Sequence, residues 1–174
     1  GGMGFIEETG AAQHWRDSRI TTIYEGTTGI QAMDLIGRKI VRDGGATIKS
    51  VIAAMQQTAA QLGQAQGEDF AAIQAGFARG LQAFTDAALY IGGNVQKDIK
   101  GVFAGAVPFL KLAGIVCGGW QMARAALVAQ EMLAAGGGDA GFYKAKIATA
   151  RFFAEHLLSQ APGLAATMIK GGAS

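Results

Sequence analysis

Residues 70–95 read FAAIQAGFARGLQAFTDAALYIGGNV. Phe70, Ile73, Phe77, Leu81, Phe84, Ala88, Ile91 and Val95 follow one another at intervals of 3, 4, 4, 3, 4, 3 and 4. A helix turns once in about 3.6 residues, so these intervals put the whole set on one helix face. A strand would need strict alternation, and the stretch has none. Glu68 and Asp69 stand just before the stripe, where the positive end of a helix dipole favours carboxylates. Lys97, Lys100 and Gly101 stand just past it, so the spacing predicts a helix ending near 97–101.

Working back towards the start, Ile48, Val51, Met55, Thr58 and Leu62 repeat the helical interval, and Gly63 to Gly67 read as the connection. Working forward, Pro108 suits a first helical turn, where its missing N–H is harmless. From there to about Ala135 the chain is apolar almost all round, which predicts a buried helix. Gly114, Gly118 and Gly119 within it predict close approach by neighbouring helices, since each costs up to about 1 kcal/mol against alanine. Gly136, Gly137 and Gly138 break the chain and Asp139 caps a further helix with the stripe Tyr143, Ile147, Ala150, Ala154 and Leu157. Pro162 is expected to close that helix, and 171–174 to fray. The fold class is therefore all-α, an antiparallel helical bundle over residues 46–170.

Composition agrees and excludes other classes. Half of the 174 residues are hydrophobic and 16% are charged, so the chain is too apolar to be disordered. A net charge of +2 is too small to hold nucleic acid by charge. One cysteine, Cys117, permits no internal disulfide and suits a reducing, cytoplasmic setting. No signal peptide is visible, and the most apolar stretch, 112–123, is short of the roughly 20 residues a span needs. The chain opens Gly1-Gly2 rather than Met, and a soluble piece of a longer protein is expected.

Residues 1–45 have a different texture. A short polar helix is expected around 9–17, and a second from Thr28, where Thr28 and Gln31 match a capping box. Ile30, Met33, Ile36 or Gly37, and Ile40 would share one side of it. Asp43-Gly44-Gly45 forms the natural boundary, giving domains 1–45 and 46–174. Glu25, between Tyr24 and Gly26, falls in the loop before the second helix. A carboxylate among apolar neighbours has its pKa raised by desolvation, as a base working near neutral pH requires. Gly26 lets a ligand approach the backbone, and the helix start beyond offers unpaired N–H groups. From spacing alone, a solvated loop acid is the simpler account.

The residues themselves go further. Residues 1–41 contain a Gly-Gly-x-Gly-Phe turn, the pair Arg16-Asp17, and Ile-Tyr-Glu-Gly-Thr at 23–27, in one order and spacing. This resembles the end of the catalytic module of acyl-CoA dehydrogenases. The resemblance implies that Glu25 is the base that removes the α-proton of an acyl-CoA thioester while a hydride leaves the β-carbon for FAD. It implies substrate contacts at Tyr24 and Gly26, and FAD contacts at Gly1, Gly2, Thr27, Thr28 and Gly29. The family commonly has Gln where Gly29 stands, so that side-chain contact is absent here. The extra helical bundle is similar to the large bacterial, 3-methylmercaptopropionyl-CoA dehydrogenase-like subgroup with an acetyl-CoA-dehydrogenase-type C-terminal domain. An electron-transfer flavoprotein as acceptor and a homo-oligomer, a dimer, are implied with it. The 174 residues alone are expected to hold no flavin and to be inactive, with most of the FAD site upstream.

Other candidates are weaker. His14 and His156 lack partners at ligand spacing, Cys117 reads as a buried small hydrophobe, and Trp15 and Trp120 read as packing residues. Gly2-Met3-Gly4 is no dinucleotide fingerprint, because Glu7 takes the third glycine's place. The alternative to an enzyme part is a helical oligomerisation or interaction module without catalysis. No metal site is expected.

Overall fold

The computed structural model describes residues 2–23 and 28–171. Among them it is helical throughout, without a strand. A turn α1 (Gly2–Phe5) and a 3₁₀ turn (Glu7–Thr9) lead into α2 (Ala11–Ile23). After α3 (Thr28–Asp34) come α4 (Ala46–Leu62), α5 (Glu68–Asn94), α6 (Ile99–Ala104), α7 (Ala106–Ala134), α8 (Ala140–His156) and α9 (Ala161–Lys170). By internal contacts the chain divides into two compact units, residues 1–31 and 32–174.

The larger unit is built on α5 and α7. The expected stripe of α5 lines the core: Phe70, Ile73, Phe77, Leu81, Phe84 and Ile91 are buried, with Ala88 and Val95 packed at its edge. Phe84 stacks on Phe109, and Gly80 lies beside Val116, so α5 and α7 run antiparallel. Each such aromatic burial is worth roughly 1.5–3 kcal/mol. On the other side, Gly76 meets Ala154 and Gly80 meets Leu158, so α8 runs in the same direction as α5. α4 and α9 pack against both long helices. Leu158, just past α8, is the knob of the assembly: a β-carbon at Gly119 would lie 2.7 Å from its Cδ1, and one at Gly80 would lie 2.9 Å from its Cδ2. Two missing methyls make the notch that holds it.

Several boundaries differ from the sequence reading. Asp98 ends nothing; it caps α6 by accepting the N–H of Gly101 at 2.9 Å, so the helix at 97–101 is a new start. Pro162 does not close a helix either. It sits in the first turn of α9, where its ring is tolerated, and α9 buries Ala161, Ala165 and Met168. α7 is not buried all round: Phe109, Leu112, Val116, Ala123, Ala126 and Ala129 face the core, while Val107, Val128 and Met132 are exposed. Its full 29 residues make it, by length and composition, long and apolar enough to cross a membrane, which the shorter stretch 112–123 had concealed. Gly118 lies under the Phe153 ring and Gly119 under Leu158, as close helix approach predicts, but Gly114 faces open space.

After α3 the chain runs on as a π-helical stretch, Leu35–Val41. Ala32, Ile36 and Ile40 are buried there, whereas Ile30 and Met33 of the expected stripe are exposed. Residues four apart overshoot an α-turn and fall short of the wider π-turn, so alternating the two keeps 32, 36 and 40 in line. Gly44 and Gly45 then take positive φ of 66° and 79°, conformations that side-chain-bearing residues avoid. Asp43 accepts the N–H groups of Gly45 and Thr47, both at 2.9 Å, and so fixes the start of α4.

Candidate functional site

The residues singled out as a site fall in two places along the chain, Gly1 and Gly2 at its start and Tyr24 to Gly29 between the end of α2 and the first turn of α3. Tyr24, Glu25, Gly26 and Thr27, and also Gly1, fall outside the described residues. Of the others, Thr28 is the first residue of α3 and is exposed, and Gly29 follows it in the same turn. Gly2 belongs to α1. A β-carbon at Gly2 or Gly29 would meet nothing within 4 Å. Among the described residues, packing therefore demands neither glycine.

The small unit around these residues is held by local polar ties. Thr9 Oγ1 donates to the carbonyls of Met3 at 2.9 Å and Ile6 at 3.0 Å. Gly10 closes the 3₁₀ turn with φ of 76°. Arg16 pairs with Glu7 at 3.3 Å across this turn. Gly4, Phe5, Ala11, Ala12, Trp15 and Arg16 surround an apolar depression. Ala12 is buried, but Met3, Phe5, Trp15 and Ile20 are exposed, with Phe5 at 85%. Trp15 is thus no packing residue of this unit; its ring carries the Arg19 guanidinium 5.6 Å above it. Sequence reading missed the depression because its walls come from α1 and α2 together, and neither segment has a helical stripe.

The remaining candidates sit in the bundle. Trp120 is half-buried and donates to Thr58 Oγ1 at 2.8 Å, and that hydroxyl in turn donates to the Ala54 carbonyl at 3.4 Å, so the buried threonine is satisfied on both sides. Cys117 is half-buried and burial pushes its thiol pKa up, which removes thiolate character. His156 stacks on Phe152 with centroids 4.3 Å apart. Among the described residues no cluster of three or more His, Cys, Asp or Glu side chains could hold a metal ion.

Comparison with known proteins divides the chain in two. The family described as "Acetyl-CoA dehydrogenase C-terminal like" matches residues 46–174. The family described as "Acyl-CoA dehydrogenase, C-terminal domain" matches residues 1–41. The 3-methylmercaptopropionyl-CoA dehydrogenase of Ruegeria pomeroyi is 49% identical over 164 residues, covering 91% of this chain and 26% of that protein. A broad-specificity linear acyl-CoA dehydrogenase of Mycobacterium tuberculosis is 36% identical over 171 residues, covering 91% of this chain and 27% of its own length. The human mitochondrial short-chain specific acyl-CoA dehydrogenase matches over 37 residues at 54% identity, 21% of this chain and 9% of that one. The chain spans about a quarter of the length of the first two relatives.

Proposed function

Because the chain belongs to the acyl-CoA dehydrogenase family, we propose that it is the C-terminal part of an FAD-dependent enzyme that dehydrogenates an acyl-CoA thioester to a 2-enoyl-CoA. The observation that supports this is the pairing of two matched segments, 1–41 and 46–174, in one chain with a 49% identical relative named as such a dehydrogenase. In this reading residues 1–45 end the catalytic helical domain and 46–174 form an additional bundle.

The Glu25 carboxylate takes the α-proton of the thioester and becomes a carboxylic acid. The electrons of that C–H bond form the new Cα=Cβ bond as the β-carbon gives up a hydride. FAD, when bound, supplies the two-electron acceptor for that hydride. The backbone N–H of Glu25 polarises the thioester carbonyl while negative charge builds on its oxygen. Tyr24 and Gly26 contact the substrate, and Gly1, Gly2, Thr27, Thr28 and Gly29 contact the cofactor. The exposure of Thr28 and the open space at Gly2 and Gly29 are compatible with those contacts. The whole protein works as a cytoplasmic dimer that passes electrons to an electron-transfer flavoprotein, and the 174 residues alone hold no flavin.

The test is Glu25→Gln in the full-length protein, followed by flavin bleaching on addition of an acyl-CoA series. Acyl-CoA binding should persist, and flavin reduction should slow by roughly 10²–10⁴-fold, the usual contribution of a positioned base. Reduction at the normal rate would place the base elsewhere. A wild-type protein without flavin or reduction would favour an interaction module instead.

A further inference from the structure

Unit 32–174 carries thirteen lysines and arginines against nine aspartates and glutamates. A plane through the middle of α5 and α7 divides them unevenly. On one side lie the π-helical stretch, the start of α4, the end of α5, α6, the start of α7 and the end of α9. Lys49 lines a groove with Leu89 and Gln96, a β-carbon at Gly37 would lie 3.5 Å from Phe103 Cζ, and one at Gly105 would meet Met168, so these parts share one end of the bundle. Arg38, Lys39, Arg42 and Lys49 enter it with the first two of these elements and are exposed. Lys97 and Lys100 flank the start of α6, Lys111 stands in the second turn of α7 and Lys170 ends α9, all exposed as well. Four carboxylates share this end, each with a local partner. Asp34 pairs with Arg38 at 3.3 Å, Asp86 accepts from Gln82 at 2.7 Å, and Asp43 and Asp98 cap α4 and α6. In the other half five cations face five carboxylates, so the whole positive excess sits at one end. Large aliphatic side chains project there too. Ile99, between Lys97 and Lys100, is 56% exposed, and Val107, one turn before Lys111, is 47% exposed.

We propose that this end of the bundle is a peripheral docking surface for an anionic lipid membrane. Composition selects that occupant. Six of the eight cations are lysines. Arginine is the residue that grips a carboxylate or phosphate with two parallel bonds, and protein contacts are rich in it and poor in lysine. Burial of this end against another protein, or against the rest of a longer polypeptide, would strip water from six strongly hydrated ammonium groups. A headgroup layer demands neither paired geometry nor dehydration. It answers to a positive field, and the ammonium groups stay within it while their stems, with Ile99 and Val107, reach the acyl boundary.

The test is co-sedimentation of the full-length protein with vesicles of phosphatidylglycerol and phosphatidylcholine in equal parts, and with vesicles of phosphatidylcholine alone. Wild type should sediment with the first and stay behind with the second, and binding should weaken as salt rises. Each lysine near an anionic surface contributes roughly five-fold in partition, so Lys97→Gln, Lys100→Gln and Lys111→Gln together should lower binding about 100-fold. Ile99→Ser should weaken it at every salt concentration, whereas Lys144→Gln with Lys146→Gln, from the balanced half, should leave it close to wild type. These side chains are exposed, and flavin content and bleaching read on the same samples show that the variants are folded. A wild type that binds neither vesicle overturns the proposal, as when the upstream polypeptide or a protein partner covers this end. Equal binding to both vesicles, or binding that the triple variant keeps, overturns it too. The proposal does not rest on the catalytic reading, so a protein without dehydrogenase activity that still binds the anionic vesicles refutes that reading alone.

Discussion

At the scale of single residues, the glycines divide by what their missing β-carbon would touch. At Gly76 it would lie 2.7 Å from the Ala154 carbonyl oxygen, which is backbone and cannot step aside. Gly76→Ala should therefore lower stability by about 1–3 kcal/mol, the cost of overpacking, despite alanine's better helix propensity. Gly114→Ala, into open space, should raise it by about 0.5–1 kcal/mol. Urea unfolding of both variants checks the pair, and equal effects would discredit the contact argument. Asp43 supplies a pH-dependent counterpart. Hydrogen bonds from Thr47 above all, and from the Gly45 and Ala46 backbone, hold its carboxyl below the ordinary range. A depressed pKa means the stabilisation is complete above the ordinary carboxylate value and is lost as pH falls through the lower, folded one. The melting-temperature gap between wild type and Asp43→Ala should thus be constant near neutrality and close in acid. The sequence marked Gly118 and Gly119 as contact glycines but gave Gly114 the same reading. Spacing along one helix does not say which neighbour stands opposite.

At the scale of elements, the long stripes were legible because their period is set by the helix itself. The stripe of α5 and the Asp139 cap of α8 appear where expected, the latter accepting the N–H groups of Gly141 and Phe142 at 2.8 and 3.2 Å. The missed elements, α6 and α9, are short and begin at residues that read equally well as stops, Asp98 and Pro162. The π-helical stretch was missed because its buried residues, Ile36 and Ile40, are four apart, an interval that an ordinary α-helix also allows. One tie between elements was also hidden in separate parts of the chain. Arg151 of α8 donates to Asp69 at 2.9 Å and to Glu68 at 3.2 Å in the first turn of α5, and to Glu155 at 3.2 Å on its own helix. Asp69 foremost, then Glu155 and Glu68, raise the guanidinium pKa further. Arg151→Met should lower the melting temperature at low ionic strength, and the difference should shrink in 1 M salt. A difference independent of salt would mean that packing of the side-chain stem, not charge, holds the helices together.

At the scale of the whole molecule, the two units differ in how much they bury. Unit 32–174 contains the apolar core, whereas Ala12 is the buried residue among those described in unit 1–31. Trypsin acting on the isolated 174 residues should therefore cut at Arg16 or Arg19 before Lys111 or Arg124, as mass spectrometry of early products would read. First cleavage inside α7 would contradict this ranking. The bundle was legible from sequence because helices announce their buried faces. The site residues Tyr24 to Thr27 were named from their resemblance and lie outside the described residues, while the depression at Phe5 and Trp15 was not legible, since neither residue belongs to a stripe. The Leu158 notch has a consequence for synthesis on the ribosome. Gly80 and Gly119 emerge well before the side chain that fills the space between their helices, so α5 and α7 meet around an unfilled gap while the nascent chain stops short of residue 158. Until then, chaperones would meet a surface with a ready-made gap, and ribosome-stalled chains ending on either side of that leucine should differ sharply in their resistance to protease.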